Sequence, residues 1–419
     1  MTKRILSTLL CIMLLLSMCA VPALAEETVT LEFWTVSLQP TFTDFINGVI
    51  AAYEADHPNV KINWVDLPWD GYQEKLVASM VDKNPADVVN LWDTLSMKES
   101  TSAVLTNLLE EATPEQLSIY QDGILEANYV HGGLYGFPWY VSVPVTIYNK
   151  ELFEQAGFDA PPKNIAEMFE MAPTFYEKTG AYLYLPGGLY SEIHGESQVI
   201  SDDETTATLN TPELLTYVTN MQKGVAEGWM PRDGWGDWNE AIKMYAQGKL
   251  GIISTNTQSV VRIQEEAPDK YEVSEVAWPV LYGRGFAYTS AYYLLIPKDS
   301  KHHKEAIDFA NFVTNDDNQL GFSKVAAIFP STKVAAADPY FSQDTETLVG
   351  RARAVGSEVA AANVLLCIDA VNVRYDDINA VMGDILEECI FDSSIDAQTA
   401  IDEAEAAIND ILAEEQANK

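Results

Sequence analysis

The chain has 419 residues, more than one hydrophobic core usually serves, and its 47% hydrophobic content is enough to bury two. Its 62 acidic residues outnumber 25 basic ones, for a formal charge of −37. Such a surface repels nucleic acid and anionic membranes, whose capture depends on Lys and Arg neutralising phosphates, so both are excluded as partners. An anionic small ligand would need a basic pocket of its own.

At the N-terminus Lys3 and Arg4 precede an apolar run from Ile5 to Met18, followed by Ala23-Leu24-Ala25. This order reads as a signal peptide over residues 1–25, cleaved before Glu26, so the protein is expected to be exported to the periplasmic or extracellular face of the cell envelope. Cleavage removes two basic residues and no acids, leaving 25 − 2 = 23 against 62, or −39. Cys19 stands where a lipid-anchoring cysteine would. Met18 before it is large where that motif wants a small residue, which favours free export. No later stretch reaches the ~18 apolar residues of a membrane span. Cys367 and Cys389 remain, to be joined as a disulfide or kept as buried thiols.

In the mature chain Val29, Leu31 and Phe33 alternate with polar residues and predict a first strand, ending in a loop through Ser37 and Gln39. Phe42 to Tyr53 repeats apolar residues at three- and four-residue steps, a helix stopped at His57-Pro58. Val60, Ile62 and Trp64 predict a second strand, followed by Trp69-Asp70-Gly71 and a helix to Val81. Asp87 to Leu91 is a continuous apolar run suited to a buried parallel strand, leading to Trp92 and Asp93. Strand and helix alternate, so the class is α/β, and ligands of such sheets bind beyond the carboxyl ends of the strands.

Leu134 to Asn149 reads as a strand passing from one lobe into another. Asn149 caps a short helix that Gly157 ends and Pro161-Pro162 cannot extend. Ile165 to Lys178 is helical, Ala181 to Leu185 a short strand, and Pro186 to Tyr190 a loop with an aromatic at its tip. Thr211-Pro212 opens a helix towards Glu227. The Trp-rich segment Gly228–Ala241 lacks the oxygen spacing of a calcium loop and suits ligand stacking better. Leu250 to Ser254 is a strand, Tyr288 to Ile296 a second crossing, and Phe329 to Thr332 a third. Two long C-terminal helices follow, Tyr375 to Cys389 and Ala397 to Leu412.

All nine tryptophans lie in the mature chain. Trp64 and Trp278 read as core. Trp92 and Trp235, in strand-end and Gly-rich settings, read as faces for the apolar side of a sugar ring. Catalytic signals are thin: the five histidines show no zinc spacing, and there is no phosphate-cradling glycine motif and no serine elbow. Carboxylate pairs such as Asp70 with Asp93 could cleave glycosides, but 62 acids make chance pairs unavoidable.

The run LYGFPW…YNKELFEQAGFDAPPKN resembles the central signature of the extracellular solute-binding proteins of ABC importers, the sugar-binding family that includes the maltose- and glycerol-phosphate-binding proteins. LEFWT, YEADHPNVKINWV, NPADVVNLW, YAQGKLGIIS and LLIPKDSKHHKEAIDFANFVTNDDNQ continue the resemblance in the family's order. It implies a type II periplasmic-binding-protein-like fold of two lobes joined by hinge crossover strands, with 26–139 plus 291–330 in the N-lobe and 140–290 plus 331–419 in the C-lobe. A monomer is implied, with a carbohydrate in the cleft, the permease subunits of an ABC transporter as partner, and neither catalysis, cofactor nor metal. Carried onto matching positions, the ligand contacts are Ser37, Gln39, Trp92, Asp93, Tyr140, Ser142, Tyr190, Trp235, Asn256 and Arg374. The strand-end loops add Trp69 and Asp70. Where many relatives have Gly-Gly at the second crossing this chain has Ser290-Ala291, so the hydroxyls of Ser290 and Tyr292 would replace backbone contacts. Arg284 and Arg374 are scarce cations that would suit a phosphate or uronate if both faced the cleft. For Arg284 a structural salt bridge is the expected role.

Overall fold

The computed structural model describes residues 28–92, 103–126, 128–130, 132–201, 203–362, 365–366 and 374–418. The signal segment, Cys19, Asp93 and Cys367 lie outside them.

The chain opens with β1 (Val29–Val36), α1 (Thr43–Asp56), β2 (Val60–Leu67), α2 (Tyr72–Val81) and β3 (Val88–Trp92). β1 pairs in parallel with both β2 and β3, as the strand-helix alternation requires. β4 (Gly136–Ser142) and β5 (Pro144–Asn149) are separated by Val143 alone, yet they belong to different sheets. Next come α3 (Lys150–Ala156), α4 (Ile165–Thr179), α5 (Leu189–Glu196), α6 (Pro212–Glu227), α7 (Trp238–Ala246), β6 (Ile252–Asn256), α8 (Gln258–Glu266) and β7 (Ser274–Ala277). The chain returns through β8 (Ser290–Leu295), α9 (His303–Val313), α10 (Asp316–Ala326) and β9 (Phe329–Pro330). It ends in α11 (Leu348–Ala361), α12 (Tyr375–Phe391) and α13 (Ala397–Asn418).

The first lobe is built on a six-stranded sheet of order β9-β4-β8-β3-β1-β2, in which β8 runs antiparallel to β3 and β4. Apolar side chains cover both of its faces. On one, Trp139 is 1% exposed and stacks on Phe322 at 5.2 Å, with Phe33 at 6.3 Å. An aromatic side chain so enclosed contributes a few kcal/mol by burial alone. The second lobe has a three-stranded antiparallel sheet, β6-β5-β7, between two helical cores. Its larger core joins α4 and α6 to α12 and α13 around Met221, Met382, Leu386 and Ile401. The C-terminal helices therefore belong to this lobe, although the chain's whole return through the first lobe separates them from its first strand.

Caps fall where the residue types place them. The Asn149 side chain accepts from Leu152 N at 3.2 Å, and Gly157 ends α3 at φ 81°. Asn164 and Thr211 cap α4 and α6 in the same way. Three expectations are corrected. Ala181 to Leu185 forms no strand but a single parallel bridge from Tyr182 to Leu250, its backbone bonds to the 249–252 segment being confined to Tyr182 and Leu183. Leu189 and Tyr190 open α5 instead of tipping a loop, because Gly188 at φ 121° turns the chain directly into the helix. Trp278 is not core but 39% exposed, since it follows β7 on the rim. Cys389 is a buried free thiol at the α12 core face.

Candidate functional site

The lobes meet at three chain crossings. Ser142 pairs with Ser290 in the larger sheet and, two residues further on, Pro144 pairs with Asn256 in the smaller one. Thr289 donates its hydroxyl to Ser142 O at 2.9 Å, tying the first crossing to the second. The third crossing is held from below. Gln319 donates to Pro138 O (3.1 Å) and Thr314 O (2.7 Å) and accepts from Ser331 N (2.6 Å), all buried. Thr257, just past β6, donates to Ala327 O at 2.7 Å.

Beside these crossings lies a cavity of about 520 Å³, within the range that encloses small ligands. Ser142, Asn256, Thr289 and Ser290 from the crossings line it, with Ser254 and Thr255 of β6. Tyr184, Pro186 and Gly187 form one wall and Tyr282 and Tyr288 another, while Trp238 stands at the start of α7. Asp237 is the one charged side chain among the described lining residues, and its Oδ1 caps α7 by accepting from Asn239 N and Glu240 N. Trp238 is 41% exposed, and its indole N–H donates to Thr255 Oγ1 at 3.0 Å. The Arg262 guanidinium lies 4.3 Å from its ring centre and is held by Glu266. A large aromatic that stays half open while its ring is fixed is suited to stacking.

The larger sheet contributes an aromatic row. Register sets Tyr140, Tyr292 and Trp92 side by side across β4, β8 and β3. Tyr140 and Tyr292 stack at 4.4 Å and 13°, and Trp69 meets Trp92 at 4.8 Å. Burial, and then the neighbouring Tyr292, push the Tyr140 phenol up, so it stays a neutral hydrogen-bonding group. Ser142 and Ser290 follow this row two residues along the same two strands, about 7 Å away by strand rise. Near the end of β2, Asp66 accepts from Thr35 Oγ1 (2.6 Å) of β1 and from Leu38 N (3.0 Å) and Gln39 N (3.0 Å) of the loop that follows β1. The exposed side chains of Ser37 and Gln39 thus project from a fixed backbone.

Of the residues singled out in the sequence, the cavity itself gathers Ser142, Asn256 and Ser290. Trp69, Trp92, Tyr140 and Tyr292 form the aromatic row, and Ser37, Gln39 and Asp70 lie on the strand-end loops of the same sheet. Three residues sit elsewhere. Trp235 packs on Phe391 at 5.1 Å and donates to Pro231 O, inside the second lobe. Tyr190 packs between His194 and Tyr375. Arg374 is paired with Asp377 at 2.5 Å and Glu414 at 3.7 Å. Arg284 donates to His194 O at 3.0 Å and covers Phe286, a carbonyl contact in place of the expected salt bridge.

Sequence reading places Trp238 in the Trp-rich loop but not among the contacts, and does not single out Tyr184, Tyr282 or Tyr288. Trp238 differs from Trp235 only in following Asp237, the N-cap that turns the chain into a helix at the cavity's edge. It also missed the two acids of α5. Glu192 is fully buried, and its Oε1 accepts from Gly187 N (2.9 Å), from the Tyr184 hydroxyl and, at 3.4 Å, from that of Tyr282. Glu196 is 6% exposed and accepts from Gly283 N at 2.9 Å. Burial raises both carboxyls, Glu196 to about 7 with added repulsion from Glu192 and Glu213. On the same helix burial, with the nearby charge of Arg284, holds His194 down at about 3. Among the described residues no group of three or more His, Cys, Asp or Glu could hold a metal ion.

Two α/β lobes joined by short crossings, with an aromatic and hydroxyl-lined cavity at the joint, define a binding protein of the hinged, two-lobed class. The family model of bacterial extracellular solute-binding proteins matches residues 39–320, and the chain belongs to that family. Its fold is similar to that of a periplasmic-binding protein from Synechococcus sp. MITs9220, at a TM-score of 0.82 and 25% identity over 92% of this chain and 99% of that one. In sequence it is similar to the diacetylchitobiose binding protein DasA of Streptomyces coelicolor, 23% identical over 65% of this chain and 66% of the relative. It is also similar to an ABC transporter extracellular-binding protein of Pyrococcus horikoshii, 21% identical over 76% of each. Family and fold are those of substrate-binding proteins. Among the described residues no helix is long and apolar enough to cross a membrane.

Proposed function

We propose that the protein captures a neutral mono- or oligosaccharide between its lobes and delivers it to the permease subunits of an ABC importer. The observation that carries this reading is the lining of the cavity: aromatic faces, a set of Ser, Thr and Asn side chains and one carboxylate, with no Lys or Arg among the described residues. Rings of Trp238, Tyr184 and Tyr288 suit the C–H faces of a sugar, and the Ser, Thr and Asn groups suit its hydroxyls. A phosphate or uronate would meet Asp237 and no lining cation, the Arg262 guanidinium beside Trp238 being held by Glu266. Both arginines considered for that role are engaged with other groups. The relative that binds diacetylchitobiose supports the carbohydrate class, and the ABC transporter relative supports import.

The lobes would close about Val143, Thr289 and the 329–332 segment, bringing the aromatic row of the larger sheet onto a ligand resting on Trp238. The sugar stabilises the closed form only through interactions that the open form does not offer it. A single carboxylate in the described lining supplies no acid and base pair, which favours binding without turnover. The mature protein, from Glu26, would act as an exported monomer without a lipid anchor at Cys19. Titration calorimetry against neutral glycans, sugar phosphates and uronates tests the reading. A neutral glycan bound and recovered intact supports it, whereas binding of phosphates alone refutes it.

A further inference from the structure

Glu192 and Glu196 stand one turn apart on α5, on the same helix face, where like charges repel. Among the described residues no cation is among the groups that act on either carboxyl. Each holds a different piece of the second lobe. Glu192 binds Gly187 N and the Tyr184 hydroxyl, and Glu196 binds Gly283 N, the residue after Tyr282. Tyr184, Gly187 and Tyr282 all line the interlobe cavity. Tyr282 also lines a second cavity of about 530 Å³ on the far side of this wall, which Glu196 itself borders along with Lys163, Glu213 and Tyr217.

The packing leaves no slack. A Cβ on Gly283 would lie 2.4 Å from Glu196 Oε2, and one on Gly195 would lie 2.3 Å from the Tyr282 ring. The loop bearing Tyr282 is therefore seated directly on the two acids. Two unpaired carboxylates buried this close cannot both ionise without admitting water. The groups facing Glu196 are Glu192 on its own helix, Glu213 and Tyr217 on α6 and Tyr282 on the loop, with Lys163 bordering the same outer cavity. The Gly283 amide favours the anion. Burial and the two glutamates oppose it and prevail, so that the group titrates near 7.

We propose that the Glu192–Glu196 pair keeps a proton while the cleft wall is closed, and that losing it to water through the outer cavity releases the Tyr282 loop, making ligand capture proton-linked. This rests on the cleft being the ligand site. The wild-type protein and Glu196→Gln, which retains an acceptor for Gly283 N, are compared without ligand by hydrogen exchange at pH 6.0 and 8.5, corrected for intrinsic rates. Peptides covering 184–188 and 281–286 should lose protection at least threefold at the higher pH in the wild type and not in the variant. Equal protection at both pH values overturns the proposal. Calorimetry with a neutral glycan, in buffers of different ionisation enthalpy, should show proton uptake near pH 7 and about tenfold weaker binding at pH 8.5, one pKa unit of linkage. The expected exchange pattern with no glycan bound refutes the carbohydrate reading and leaves the proton switch standing. Glycan bound with no proton uptake refutes the switch.

Discussion

Replacing Gln319 by Leu should loosen the third crossing at a cost that can be worked out group by group. Its amide is buried (1% exposed), and it alone bonds Ser331 N as acceptor and reaches Thr314 O as donor. Pro138 O loses one donor but keeps Ser331 Oγ at 2.6 Å. Leucine fits the volume, leaving one amide N–H and one carbonyl in a dry site. Each such orphan costs about 1–3 kcal/mol, and the added apolar burial returns about 1–2 kcal/mol. The net loss should be near 3 kcal/mol. Urea unfolding followed by tryptophan fluorescence reads it, because Trp139 sits one residue from Pro138 and should report the melting of this sheet. A midpoint change at constant slope equivalent to about 3 kcal/mol supports the reasoning. A loss below about 1 kcal/mol would show that Gln319 is not what fixes the segment where the chain recrosses.

The two C-lobe tryptophans should behave oppositely: Trp238→Ala should weaken glycan binding tenfold or more at nearly unchanged melting temperature, and Trp235→Ala, cutting the contact with Phe391, should cost about 3 kcal/mol of stability. Calorimetry and thermal melts on both variants check this, and equal effects on binding would place the stacking face elsewhere. Glu196 takes up a proton on folding because its folded pKa is raised from 4.5 to about 7. Its contribution is therefore full below pH 4.5, falls as pH rises to 7 and is flat above, a change of about 3 kcal/mol at 1.36 kcal/mol per unit. Glu196→Gln should flatten that slope and be the more stable protein at pH 8; a variant less stable than wild type at pH 8 would contradict the sign.

The fold was largely legible because its signals are local. The alternation at Val29 to Phe33, the Asn149 and Asn164 caps and the Gly157 stop each act within a few residues, and the structure uses all of them. The crossing strand was legible too, since Pro138 and Pro144 mark a chain that leaves one sheet for another. What the sequence could not show is which way an aromatic faces. Trp235 and Trp238 share a Gly- and Asp-rich segment, and only the turn into α7 sends one to the core and the other to the cavity. The acids of α5 were hidden for a related reason. Two glutamates four apart on a helix usually mark a solvated face, and here a glycine-bearing loop closes over them. Arg374 looked available because cations are scarce, but scarcity makes each one a target for the surplus acids around it.

The most direct test of the central claim is titration calorimetry of the mature protein, Glu26 to Lys419, with a panel of neutral glycans and with sugar phosphates and uronates of matched size. A neutral glycan that binds with micromolar or tighter affinity, raises the melting temperature and is recovered uncleaved is the predicted result. Binding confined to the anionic sugars, or steady consumption of the bound glycan, would contradict it.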